Sequence, residues 1–193
     1  MKITEIEAHY GSQNRRNLLR IQPTEGGLRR LVDSLRQEPR LLASRITSQT
    51  LSTLLHSNMA IAYGTSPDNI YAFGSLWLSK DPNIHELGGI WISEKYRHRG
   101  IAPLLFQACD DLSPNTGLFL VTAEPAIVAI AIKRGWRLEG NDWGKSLDFD
   151  WNEIVGPSWE RYPDSPLKEP GLLLYRKPRT GKVVCSEWGV KPA

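Results

Sequence analysis

Between Ile84 and Ala123 the hydrophobic pattern changes period twice, and this limits the folds open to the chain. IHELGGIWIS (84–93) reads as a strand interrupted by Gly88-Gly89, a pair that weakens a ladder and marks a bulge or a close backbone approach. IAPLLFQACDDLS (101–113) has helical spacing, with Leu105, Ala108, Cys109 and Leu112 on one face and Pro103 in the first turn, where a missing N–H is no loss. GLFLVTA (117–123) is short and nearly all apolar, as in a strand covered on both faces. Strand, helix and strand in that order imply a parallel pair joined by a right-handed crossover.

The flanking segments supply an antiparallel part. EGGLRRLVDSLRQ carries Leu28, Leu31, Val32 and Leu35 on one stripe, so it is an amphipathic helix, and SQTLSTLLHS is a second helical run. MAIAYGT and NIYAFGSLWLS read as strands joined by the turn-forming Ser66-Pro67-Asp68-Asn69, hence a hairpin. PAIVAIAIKRGW has proline at its start, glycine at its end and cations in its last turn, the marks of another helix. After Trp136 the pattern loosens until GLLLYRKP (171–178), a last strand; RTGKVVCSEWGVKPA fits no element. The order predicts an α+β fold with a mixed, mostly antiparallel central sheet flanked by helices.

Composition narrows the functional classes. The N-terminal MKITEIEAHYG lacks the apolar core of a secretion signal, no stretch is long enough to span a bilayer, and Cys109 and Cys185 form no ligand or disulfide pattern. A cytoplasmic protein without a membrane partner is expected. Residues 1–60 hold nine Lys/Arg against five acids. Arg15, Arg16, Arg20, Arg29, Arg30 and Arg36 raise the question of nucleic acid, but no base-stacking motif accompanies them, and arginines on a helix face commonly serve solubility. Nucleic acid is not expected as a partner.

The segment EKYRHRGIAPLL (94–105) crowds Arg97, His98 and Arg99 against the start of a helix. A helix N-terminus is already electropositive, so cations there are out of place unless an anion joins them. Unpaired backbone N–H groups and the dipole together make such a site, Gly100 lets the backbone approach a ligand, and Arg97 and Arg99 add charge. A phosphate or diphosphate would answer the arrangement. The loop is not a Walker loop, since no Lys-Ser/Thr follows the glycine, nor a dinucleotide fingerprint, which needs three glycines.

In this context the chain resembles the GNAT superfamily of N-acetyltransferases, over roughly residues 25 to 140 and most clearly from Ile84 to Trp136. Ile90-Trp91-Ile92, followed at the family's spacing by Arg97-His98-Arg99-Gly100-Ile101-Ala102, carries the resemblance. It implies acetyl-coenzyme A as cofactor. Backbone groups of Ile90 and Ile92 would bond the pantetheine arm, and amides from His98 to Ala102, through Arg99, Gly100 and Ile101, would hold the pyrophosphate. Gly88-Gly89 falls where the family splays its two parallel strands to admit the thioester. By its length the chain fits one acetyltransferase-like domain over 1–193, with 139–170 a lid or insertion and 179–193 a C-terminal tail. Pro103 removes one N–H that many members offer, Glu124 stands where asparagine is common, and Ala131 stands where a tyrosine often protonates the thiolate.

Acyl transfer to an amine needs a base, because an alkylamine with a pKa near about 10.4 is almost wholly protonated at pH 7. Glu86, an acid inside an otherwise apolar strand, is the first candidate; the competing reading puts it on the polar face of a half-exposed strand. His85, on the other face, reads as a surface or packing histidine. Glu124 is a candidate second base or ammonium partner, or simply an acid favoured at a helix start. The main-chain N–H of Ile92 would polarise the carbonyl, on the family's pattern. Tyr162 and Tyr175 are possible replacements for the missing tyrosine acid. Trp143, Trp151 and Trp159 interleave with Asp148, Asp150, Glu153 and Glu160, aromatic faces beside carboxylates that suit an organic cation, so Asp148 and Asp150 are candidate substrate residues; the competing reading is a solvated acidic loop with packing tryptophans. The expected activity is acetyl transfer to a small-molecule or peptide amine in a ternary complex; the alternative is a non-catalytic module of the same fold that senses coenzyme A. A homodimer stays open.

Overall fold

The protein is described by a computed structural model covering residues 18–38, 46–79, 83–122, 124–140 and 172–179. Among these residues seven strands form one sheet. The first four, β1 (Leu19–Arg20), β2 (Ala60–Ser66), β3 (Asn69–Leu78) and β4 (Ile84–Ile92), lie side by side in chain order and antiparallel. β5 (Gly117–Thr122) runs parallel to β4, and β7 (Leu172–Arg176) inserts between β5 and β6 (Arg137–Gly140), antiparallel to both. The expected mixed, mostly antiparallel sheet is what forms, with its parallel pair where the crossover put it.

Among the described residues four helices cover the two faces: α1 (Glu25–Arg36), α2 (Ser48–His56), α3 (Ile101–Asp110) and α4 (Pro125–Lys133). The apolar stripe of α1 packs with Leu51, Leu54 and Leu55 of α2 onto Ala60, Ala62, Phe73 and Trp91 of the sheet. Thr24 caps α1, its Oγ1 accepting from Gly27 N–H at 3.0 Å and donating to Asp68 of the β2–β3 turn at 2.5 Å. On the opposite face Leu105, Phe106 and Cys109 of α3 and Ala131 of α4 pack against Ala72, Leu76, Leu87, Leu118 and Leu174. Trp136, just past α4, is buried and meets Phe106 edge to face at 5.3 Å. Leu118, Phe119 and Leu120 are all buried, so β5 is covered on both faces as its composition requires.

Two strands lie outside the sequence expectation. β1 is two residues long, and β6 falls in the segment after Trp136 that carries no strand pattern. Leu138 of β6 is about half exposed, because β6 is a sheet edge and needs no apolar alternation. Residues 139 and 140 of the expected insertion belong to this strand; the rest of it, with Trp143, Asp148, Asp150, Trp151, Trp159 and Tyr162, lies outside the described residues, as do Arg15, Arg16 and the tail beyond Arg179. Among the described residues no helix is long and apolar enough to cross a membrane.

Candidate active site

The glycine pair in β4 does two things. Phe73 pairs with Trp91, but Ser75 pairs with Gly88, so Gly74 of β3 is opposed by both Gly89 and Ile90 of β4. This is a bulge, and Gly89 carries it at φ 65°, a left-handed conformation that costs an L side chain about 1–2 kcal/mol. A Cβ there would also sit 3.0 Å from the buried Ser75 Oγ, which donates to the Gly88 carbonyl at 3.1 Å. Gly89→Ala is therefore expected to lower stability by about 2 kcal/mol, read as a shift of the urea midpoint; an unchanged midpoint would mean the bulge is dispensable.

The second consequence is an opening. β4 and β5 pair only from Ile84↔Gly117 through Glu86↔Phe119, although β4 runs on to Ile92 and β5 to Thr122. Beyond Glu86 the parallel strands separate. The N–H of Ser93 donates to the Tyr71 carbonyl of β3 at 2.8 Å, so by alternation along the strand the amide groups of Ile92 and Ile90 face away from β3, into the gap. Ile90 and Ile92 thus lie on the edge of the gap between the two strands.

Glu86 occupies the last paired position before the strands part. It stands opposite Trp77 of β3, on the face that α1 and α2 cover, and is half buried. A carbon placed at the Gly88 Cβ position would lie 3.2 Å from its Oε1 and 3.1 Å from the Trp77 indole, so carboxylate and indole edge flank the same spot. His85 points to the other face; it is buried, and its Nδ1 lies 2.9 Å from the Ile84 carbonyl. The packing reading holds for it.

At the open end of β4 the chain makes a short helical turn, Glu94–Tyr96, and then the loop into α3. His98 at φ 60° and Gly100 at φ 74° are both left-handed, and such a run of backbone forms a concavity of N–H groups suited to an anion. Among the described residues no hydrogen-bond partner is found for the amides of His98 to Ala102. No side chain caps α3, and its first turn holds no acid. Pro103 is the third helical residue, so the donors end with Ala102. Tyr96 stacks on Tyr71 at 4.4 Å, and its ring carries Lys95 Nζ at 5.1 Å and the Arg99 guanidinium at 5.4 Å.

Arg97 goes elsewhere. Its Nε donates to the Ile92 carbonyl at 2.9 Å and its Nη2 to Glu38 Oε1 at 2.5 Å, just beyond α1. Of the arginines raised for nucleic acid, four are described and each is engaged within the chain: Arg20 with Asn58, Arg29 with Glu25, Arg30 with Asp68 and Arg36 with the Ile46 carbonyl. Glu124 precedes α4 at the open end of β5, its N–H donating to Thr122 Oγ1 at 3.1 Å. The Tyr175 hydroxyl lies near Gly117, about 3.0 Å from where a Cβ would be, at the closed end of the strand pair. That position does not suit an acid for chemistry in the gap. Ala131 is fully buried and brings no proton.

A bulged strand parting from its parallel neighbour, followed by a loop whose amides have no partner among the described residues, agrees with the family comparison. The acetyltransferase (GNAT) family model matches residues 29–132. The chain belongs to the GNAT acetyltransferase family. Solved structures share the fold at low identity. A diaminobutyrate acetyltransferase from Paenibacillus lautus, in complex with L-2,4-diaminobutyric acid and coenzyme A, aligns with a TM-score of 0.52 and 16% identity over 84% of this chain and 95% of that one. A phosphinothricin acetyltransferase from Sinorhizobium meliloti, in complex with acetyl-CoA, aligns at 0.54 and 13% over 89% and 94%. An N-acetylglutamate synthase from Neisseria gonorrhoeae, with coenzyme A and N-acetyl-glutamate, aligns at 0.53 and 13% over 82% of this chain and 34% of that one. No curated protein sequence matches the chain.

Proposed function

We propose that the protein transfers an acetyl group from acetyl-coenzyme A to a primary amine by direct attack in a ternary complex, with Glu86 as general base. The observation that carries this reading is the position of Glu86 at the point where β4 and β5 part, one end of a gap whose other end is the loop of amides from His98 to Ala102. The chain's own groups fit the cofactor. Amides from His98 through Arg99, Gly100 and Ile101 to Ala102 would hold the diphosphate, and the edge amides of Ile90 and Ile92 would bond the arm as an added strand does. Acetyl-coenzyme A supplies an activated acetyl thioester when bound.

The Ile92 N–H, aimed into the gap, would polarise the acyl carbonyl as a preorganised donor. Glu86, on the α1–α2 face, would take the ammonium proton of the acceptor directly or through one water. With Ala131 in place of an acid, the thiolate, of pKa about 8.5 by analogy with cysteine, would take its proton from water. Glu124, at the open end of β5, and Asp148 and Asp150 in the 139–170 segment would attract the acceptor's ammonium. Gly140 and Leu172, the described residues that bound most of this segment, lie at the Thr122 end of the sheet, where the strands are apart. Small amines suit this reading, since the similar acetyltransferase from Paenibacillus lautus takes diaminobutyric acid.

Ala131 is the observation favouring a coenzyme A-binding module without catalysis. Two measurements separate the readings. Calorimetry of the full chain with coenzyme A should register binding under either, and heat-silent titrations at millimolar ligand would end both. Consumption of the acetyl thioester with any member of a panel of primary amines is expected only of the enzyme.

A further inference from the structure

The inference concerns Glu38, and it rests on the reading of the His98–Ala102 loop as a diphosphate cradle. Arg97 enters that loop directly, yet its guanidinium is held away by two contacts, the Ile92 carbonyl at 2.9 Å and the Glu38 carboxylate at 2.5 Å. Glu38 is fixed in turn by the end of α1, its N–H donating to the Leu35 carbonyl at 3.2 Å. Both contacts withhold something the cofactor needs. Glu38 neutralises one of the loop's cations, and the Arg97 Nε occupies a carbonyl on the open edge of β4, where the arm would bond.

We propose that Glu38 is a resident competitor for Arg97, a tether that sets the affinity of the loop for coenzyme A and is released when the cofactor binds. The pair is suited to being exchanged. Its side chains are 43% and 31% exposed, and pairs of this kind contribute little to stability. An incoming diphosphate brings more negative charge than one carboxylate, and it bonds a guanidinium in the same planar way. Cofactor binding then trades Arg97–Glu38 for Arg97–phosphate and frees the Ile92 carbonyl for the arm.

The opposite role is a scaffold, in which Glu38 holds Arg97 where the cofactor needs it. The two roles differ in sign. Titration of the full chain with coenzyme A at low ionic strength is expected to give Glu38→Gln a Kd up to about five-fold tighter than wild type, with the gain shrinking as salt is raised. In an Arg97→Ala background the same substitution should change the Kd little, because nothing is left to tether. Weaker or unchanged binding by Glu38→Gln overturns the proposal, as does an equal gain without Arg97, which would be a general field effect. A wild type that binds no coenzyme A removes the cradle itself, an outcome distinct from a wild type that binds while Glu38→Gln brings no gain.

Discussion

Glu86→Gln is expected to lower kcat at pH 7 by about 10²- to 10⁴-fold, the range for loss of a positioned general base. Glutamine keeps the shape beside Trp77 and the Gly88 backbone but cannot accept a proton. The variant must wait for acceptor that is already neutral, and for an alkylamine of pKa about 10.4 that fraction grows roughly tenfold per pH unit on the way up. The deficit should therefore narrow as pH rises toward the amine's own pKa. Cofactor affinity should hardly change, since the carboxylate faces the α1–α2 side of the sheet while the loop amides lie at the far end of β4. An amine acetylated by Glu86→Gln at the wild-type rate, with a wild-type pH profile, would remove Glu86 as base and leave the half-exposed polar strand position as its explanation.

The crossover was legible because each of its parts depends on local rules. Gly88-Gly89 in an apolar run marks a bulge, and the bulge is where β4 leaves β5. The basic loop before Gly100 marks an anion site by contradicting the helix dipole. What the sequence hid is non-local. β7 slips between β5 and β6 after a separation that no window of residues reports, and β6 is the edge strand of the sheet among the described residues. Arg97 pairs with a carboxylate 59 positions away, which no local pattern announces. His98 gave no sign that it would adopt a left-handed backbone, a conformation rare for residues other than glycine.

The other end of α3 carries a signal of the same kind. Asp110 and Asp111 lie at the C-terminal end of α3, where acids oppose the dipole just as Arg97 to Arg99 do at the other end, and the last turn has no base. Periodicity puts Ala108 and Leu112 on the buried face, yet both are only partly buried while Asp110, like Leu105 and Cys109, has no exposure at all. Its carboxylate collects three arginines: Arg134 at 3.0 Å after α4, Arg176 at 2.7 Å on β7, and Arg179 beyond it. Arg176 is itself buried, and burial lowers its pKa while Asp110 works the other way. The hub thus ties α3 to α4 and to β7, the strand that pairs with β5 on the side away from the gap.

Asp110→Asn is accordingly expected to cost about 3–5 kcal/mol, the range for removing one partner of a buried pair and leaving its cation uncompensated. At roughly 2–4 °C per kcal/mol for a chain of this size, the thermal midpoint should fall by about 6–20 °C. Asp111→Asn is the control. Its carboxylate is 36% exposed and meets Arg179 at 2.6 Å in reach of solvent, so the loss should stay under about 1 kcal/mol. Combining Asp110→Asn with Arg176→Met should recover part of the loss, because the stranded buried cation goes with it. Arg176 also donates to the carbonyls of Ser113 and Lys177, at 3.0 and 2.9 Å, so recovery will be incomplete. Equal small losses for Asp110→Asn and Asp111→Asn would mean that the three arginines are held by those carbonyls and by packing, and that the acids at the end of α3 have no structural office.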